Sequence, residues 1–151
     1  MEILNPTYDD IHNGCRKIVK IINDIQMDVG LVIGLSRGGL VPGVIISHML
    51  ESPFLAVEYS SKHGAGDNKD HKNILPEIKH LTDKYILVAD DIADTGRTLQ
   101  EVMDFWKPND KLYSCVLYYK QLLNPDSYKP DFHWRMIPHN SNWIQFPWEN
   151  K

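Results

Sequence analysis

Continuous apolar runs of strand length, each closed by a polar turn, constrain the fold of this chain more than any other feature. LVIGL, Leu31–Leu35, stops at Ser36-Arg37-Gly38-Gly39, and Leu40 to Leu50 then has helical character. Phe54 to Tyr59 and Tyr85 to Ala89 are further runs. The second of these is followed by DDIADTGRT and an apolar-patterned segment, Leu99 to Trp106, that ends at Lys107-Pro108. Lys111 to Tyr119 supplies another strand. Runs that are unbroken rather than alternating belong to strands buried on both faces. Strands that alternate with helices predict an α/β fold, a central and mainly parallel sheet flanked by helices and joined by right-handed crossovers. Ahead of the first strand, Ile11, Cys15, Ile18, Val19, Ile22 and Ile25 fall on one face at helical spacing, so an amphipathic helix is expected from about Thr7 to Gln26, with Thr7 and Asp10 as its capping pattern.

Composition narrows the function classes. With 151 residues, 42% hydrophobic and 24% charged, the chain is expected to form a single domain, residues 1–151, with a substantial core. No apolar run approaches the roughly 20 residues of a membrane span, and the N-terminus does not read as a secretory signal, so a cytoplasmic location without membrane attachment is expected. A net charge of −4, from 16 Lys+Arg against 20 Asp+Glu, argues against nucleic acid as the main partner. Cys15 and Cys115 lie in apolar-periodic segments with no paired spacing, which indicates buried thiols rather than a disulfide framework or a zinc site.

Ligands of open parallel sheets bind at the carboxyl ends of the strands, and two glycine-containing loops are predicted there. Ser36-Arg37-Gly38-Gly39 combines backbone open to close approach with a guanidinium and a following helix N-terminus, an anion-binding arrangement that a simple tight turn would also explain. The second loop is more specific. Asp90 and Asp91 end a buried strand, Asp94 follows, and Thr95-Gly96-Arg97-Thr98 opens a helix whose free N–H groups suit a phosphate monoester. Upstream carboxylates would repel that phosphate, so they are expected to accept from hydroxyls or face a divalent metal. A sugar phosphate meets both demands.

YILVADDIADTGRT resembles the fingerprint of the type I phosphoribosyltransferases: an apolar strand, two acidic residues and D-T-G-x-T. VIGLSRGGLVPG is similar to the pyrophosphate loop of the xanthine-guanine branch, and the C-terminal WIQFPWE to its purine-covering segment. The resemblance implies the type I fold with a small C-terminal hood, from about residue 120 to 151. It implies that Asp90 and Asp91 hold the ribose hydroxyls of phosphoribosyl pyrophosphate, and that Asp94, Thr95, Gly96, Arg97 and Thr98 form the 5-phosphate loop. Ser36, Arg37, Gly38 and Gly39 would receive the pyrophosphate, in a loop that often contains a non-proline cis peptide. Magnesium, bound by substrate oxygens with Asp91, is the implied cofactor. Asp94 is the implied catalytic residue, placed to exchange a proton with the imidazole nitrogen of the purine.

The polar stretch from about Ser60 to Asn73 is expected to act as a lid, and its Lys69, with Lys62 and Lys72, to approach the pyrophosphate; GAGDNKD departs from the family's usual lid. His63 and His71 flank Asp67 and Asp70 there without the spacing of a helix-borne metal pair. Lys120 corresponds to the lysine that contacts the 6-oxo group of a purine, Trp143 offers a face for stacking the base, and the backbone of Ile144 could read its 2-position. Packing of a C-terminal tail is the competing explanation for the tryptophans, and the favoured one for Trp148. The implied reaction is transfer of a phosphoribosyl group to guanine, xanthine or hypoxanthine by a homodimer or homotetramer. The alternative is a non-catalytic regulator that senses phosphoribosyl pyrophosphate. An aspartate-rich prenyl-chain synthase fits poorly, because those proteins are larger and all-helical.

Overall fold

The computed structural model describes residues 4–59, 77–107, 109–121, 123–141 and 143–150. The sequence lid, with Lys62, Lys69, Lys72 and both of its histidines, lies outside the described residues. Helix α1 (Tyr8–Asp24) leads into β1 (Val29–Ser36), α2 (Leu40–Met49), β2 (Phe54–Glu58), β3 (Tyr85–Ala93), α3 (Arg97–Phe105), β4 (Leu112–Gln121) and β5 (Phe132–Pro138), and a 3-10 turn covers Pro147–Glu149. The start of α1 is fixed by the predicted device: Thr7 Oγ1 accepts from Asp10 N at 3.1 Å, while Asp10 Oδ2 accepts from Thr7 N at 2.8 Å.

The five strands lie in the order β2-β1-β3-β4-β5, every neighbouring pair parallel. Apolar side chains fill both faces, as the unbroken runs require. One face packs Ile11, Ile18 and Ile22 of α1 and Ile46 of α2 on Val32, Leu87 and Leu117; the other packs Leu99, Val102 and Met103 of α3 on Ile33, Val88 and Val116. Strand order reverses between β1 and β3, and the crevice at the carboxyl ends of two such strands is where doubly wound sheets take their ligands.

Two elements differ from the sequence expectation. β3 does not stop at Ala89: Asp90, Ile92 and Ala93 remain in register with Val116, Tyr118 and Tyr119 of β4. Pairing with β1 does end there, at Gly34 with Ala89, so Asp90 and Asp91 project from a strand held along one side and open along the other. β5, in the tail where no regular element was expected, extends the sheet by one edge strand. His133 and Arg135 interrupt its apolar pattern because that strand is only half buried.

Cys15 and Cys115 are 0% and 1% exposed, and burial pushes the Cys15 thiol up to about 12 and the Cys115 thiol well above its usual range. Neither is a ready thiolate. Thiol-labelling of the native protein is therefore expected to be at least 100-fold slower than in denaturant, on the order set by an opening free energy of about 3 kcal/mol or more; equal rates would contradict this packing.

Candidate active site

Both loops identified in the sequence meet at the reversal point. In the first, the Ser36–Arg37 peptide is cis. Gly39 N donates to Leu35 O at 2.8 Å, Leu40 N donates to Arg37 O at 3.1 Å, and α2 begins at Gly39 without a side-chain cap. Arg37 is exposed and Gly39 buried. The loop is pressed against β3 so closely that side chains are excluded. A Cβ on Gly38 would lie 2.1 Å from Asp91 Oδ2, and one on Gly39 would lie 2.3 Å from Ala89 O. The anion loop and the acidic pair are thus one surface.

Asp90 and Asp91 are held by their own strand: Asp90 Oδ1 accepts from Asp91 N at 2.9 Å, and Asp91 Oδ1 accepts from Ile92 N at 2.8 Å. Desolvation, and then the charge of Asp91, push the Asp90 carboxyl well above the usual carboxylate range. Desolvation also raises Asp91, outweighing its hydrogen bonds from the strand, and the charge of Glu149 adds to the rise. Glu149 is a site residue whose role the sequence did not reveal. It faces Asp91 while its Oε2 accepts from Phe146 N at 2.9 Å. Two adjacent carboxylates held in a poorly solvated crevice favour hydroxyl donors or a cation.

That arrangement sets a pH dependence. A carboxyl with a raised folded value binds its proton more tightly in the folded than in the unfolded chain, so its contribution to stability is full below the unfolded carboxylate range and is lost as pH climbs through the raised value. Asp90→Asn removes this loss. We expect it to raise the thermal midpoint of the ligand-free protein at neutral pH, by about 2–4 °C for each kcal/mol recovered, and to flatten the pH profile of thermal unfolding while activity falls; a lowered midpoint would show that Asp90 is structurally required.

The second loop runs from Asp94 to Thr98. Gly96 caps α3 at φ 74°, a left-handed conformation suited to glycine, and a Cβ there would lie 2.9 Å from Tyr128 O. Thr95 Oγ1 accepts from Arg97 N at 3.3 Å. The Arg97 side chain turns along the helix, its Nε 3.3 Å from Glu101 Oε1, so the anion-binding capacity of this loop lies in its backbone and hydroxyls.

A cavity of about 280 Å³ opens above the loop, lined by Asp90 to Leu99, Lys120, Trp143, Ile144, Phe146 and Glu149. Lys120 is the penultimate residue of β4, and its Nζ sits 2.9 Å from Asp94 Oδ1. The covering segment is tied to the chain start, with Leu4 N donating to Trp143 O at 3.2 Å and Gln145 N to Leu4 O at 2.9 Å. Trp143 remains 68% exposed and Ile144 is 4% exposed. An exposed ring on a cavity wall is available for stacking, whereas Trp148 is stacked on Phe146, 4.7 Å between centroids and 6° between planes, and belongs to the packing of the tail. The structure therefore brings together the predicted residues 90, 91, 94–98, 120, 143 and 144 around one cavity and sets 36–39 beside them through Gly38.

The acidic end of β3, the threonine-glycine loop at the start of α3 and the C-terminal covering segment thus border one cavity at the carboxyl ends of a parallel sheet. Residues 7–151 match the family described as the phosphoribosyl transferase domain, and the chain belongs to that family. A xanthine-guanine phosphoribosyltransferase of Idiomarina loihiensis is 24% identical over 144 residues, covering 95% of this chain and 84% of that one. One from Cereibacter sphaeroides is 26% identical over 150 residues with the same coverage. The crystal structure of a purine phosphoribosyltransferase from Pyrococcus horikoshii superposes with a TM-score of 0.72 at 24% identity, covering 100% of this chain and 97% of the other. Among the described residues no helix is long and apolar enough to cross a membrane.

Proposed function

We propose that this chain is a purine phosphoribosyltransferase acting on 6-oxopurines. The observation that carries this reading is the shared cavity: an acidic pair, an anion-binding helix start, a lysine and an exposed indole converge on it. Asp90 and Asp91 hold the ribose hydroxyls, the backbone and hydroxyls of Thr95 to Thr98 hold the 5-phosphate, and the Ser36 to Gly39 loop takes the pyrophosphate beside Asp91. Trp143 stacks on the base, Ile144 reads its 2-position through the backbone, and Lys120 donates to its 6-oxo group.

In the reaction a purine ring nitrogen forms a bond to the anomeric carbon as the bond to the pyrophosphate oxygen breaks, and that electron pair leaves with pyrophosphate. The proton on the imidazole nitrogen passes to Asp94, a carboxylate beside the positive charge that develops on the ring. The site aligns the two substrates, and the hood shields the activated sugar from water. The hard oxygen donors at Asp91 fit magnesium. Among the described residues no group of three His, Cys, Asp or Glu is placed to hold a metal without substrate, so Asp91 would share it with substrate oxygens. A magnesium ion held there would supply positive charge to the leaving pyrophosphate.

The test is competition. An equimolar mixture of guanine, xanthine, hypoxanthine and adenine with phosphoribosyl pyrophosphate and magnesium is expected to yield 6-oxopurine nucleotides and little adenine nucleotide. Adenine nucleotide as the main product would overturn the base assignment.

A further inference from the structure

Arg97 is the first residue of α3, directly after the glycine that caps it. A side chain at that position leans by default toward the helix N-terminus, because the Cα–Cβ bonds of a helix tilt that way, and the anion-binding N–H groups lie at that end. Arg97 runs the other way. Its Nε lies 3.3 Å from Oε1 of Glu101, one turn further into α3. Helix energetics do not explain the pair: a cation in the first turn opposes the macrodipole, and a cation four residues before a glutamate is the weaker order of such a pair. The Arg97 side chain is 59% exposed, and an ion pair so open to water holds its partners loosely by itself. A second contact fixes the glutamate. Oε2 of Glu101, whose side chain is 22% exposed, accepts from the Tyr59 hydroxyl. Tyr59 is buried and directly follows β2, a strand separated from β3 by β1. Burial, and then its hydrogen bond to Glu101, push the phenol up, so it stays a donor. Tyr59, Glu101 and Arg97 thus link the edge of the sheet to the start of α3.

We propose that Glu101 is a positioning residue that holds the Arg97 guanidinium out of the 5-phosphate cradle, with Tyr59 as its anchor. This rests on the assignment of residues 95–98 to the 5-phosphate. Phosphoribosyl pyrophosphate and the nucleotide product both carry that phosphate. A guanidinium placed on it would add a charge-assisted contact to each, which does not lower the barrier between them and slows departure of the nucleotide. Glu101 competes with the phosphate for Arg97, so the cradle binds through its N–H groups and hydroxyls and releases the product more readily.

Titration calorimetry with guanosine 5′-monophosphate tests this, with guanosine as the ligand that lacks the phosphate. Glu101→Gln keeps the shape of the side chain but removes its charge and one of its two acceptors. It is expected to tighten binding of the monophosphate by about fivefold or more and to leave binding of guanosine unchanged. Adding Arg97→Ala, which keeps the backbone N–H, is expected to abolish the gain. A merely structural role for Glu101 predicts weaker binding instead. Unchanged or weaker binding of the monophosphate by Glu101→Gln, an equal gain for guanosine, or a gain that survives Arg97→Ala would each overturn the proposal. Thermal unfolding checks that the variants are folded, and where Glu101→Gln is not, Tyr59→Phe is read in its place, with an expected gain of about twofold or more. A wild type that binds the monophosphate no more tightly than guanosine overturns the assignment of the 5-phosphate loop, and the proposal with it.

Discussion

Asp94→Asn is expected to lower kcat by about 10²–10⁴, the range for loss of a positioned general base, while the KM for phosphoribosyl pyrophosphate changes by less than about threefold, within a kcal/mol of binding free energy. The asymmetry follows from where Asp94 stands. It lines the cavity from the loop after β3, its Oδ1 is 2.9 Å from Lys120 Nζ, and the N–H groups and hydroxyls proposed to take the 5-phosphate begin only after it, at Thr95. An amide at this position occupies the same volume and can still accept from Lys120, so the loop is retained and proton acceptance is lost. Single-turnover measurement of nucleotide formation checks this. A kcat within threefold of wild type would remove Asp94 from the chemistry, and an equal loss in substrate affinity would reassign it to binding.

The neighbouring glycines Gly38 and Gly39 are expected to fail in different ways. A Cβ at Gly39 would meet backbone, Ala89 O at 2.3 Å and Leu35 N at 2.8 Å. Neither can yield without parting β1 from β3 or lifting the start of α2. Gly39→Ala should cost about 1–3 kcal/mol or more, as overpacking of a fixed backbone does, and appear as a lowered thermal midpoint with activity lost along with the fold. At Gly38 the obstruction is the Asp91 carboxylate, at 2.1 Å. That group can swing away, at the expense of its hydrogen bond from Ile92 N. Gly38→Ala should therefore remain folded, with a midpoint near wild type, and lose at least tenfold in affinity for phosphoribosyl pyrophosphate, read by calorimetry. Similar unfolding of both variants would contradict the close approach of loop to acidic pair.

The contrast between these glycines shows what the sequence could reveal. Strand-length apolar runs, and a glycine-bearing loop after each of two of them, were enough to place an α/β sheet and its ligand edge, because burial on both faces leaves no other use for LVIGL and YILVA. The D-T-G-R-T segment was legible because its residue types serve one chemistry. Pairwise geometry was not legible. Nothing local to Gly38 indicates that Asp91 fills the space beside it, and nothing local to Lys120 indicates Asp94, since both contacts depend on the order β1-β3-β4. Aspartate is rare in strands, which places the end of β3 at Asp90 and Asp91 in the sequence, yet β4 alone holds that segment on to Ala93, and the missing β1 partner is what opens the crevice. β5 escaped notice because an edge strand tolerates His133 and Arg135 on its half-exposed surface. Glu149 stands in the WIQFPWE motif, but its effect on Asp91 depends on how the C-terminal segment folds over the cavity.

We propose that one cavity transfers phosphoribosyl from a pyrophosphate leaving group to a 6-oxopurine. The most direct test is to follow pyrophosphate release and nucleotide formation together, with phosphoribosyl pyrophosphate, magnesium and one base at a time. Equal amounts of both products are expected with at least one of guanine, xanthine and hypoxanthine, and negligible pyrophosphate without a base. Tight binding of phosphoribosyl pyrophosphate with no pyrophosphate released in the presence of any base would contradict this proposal and identify a ligand-sensing protein built on the same fold.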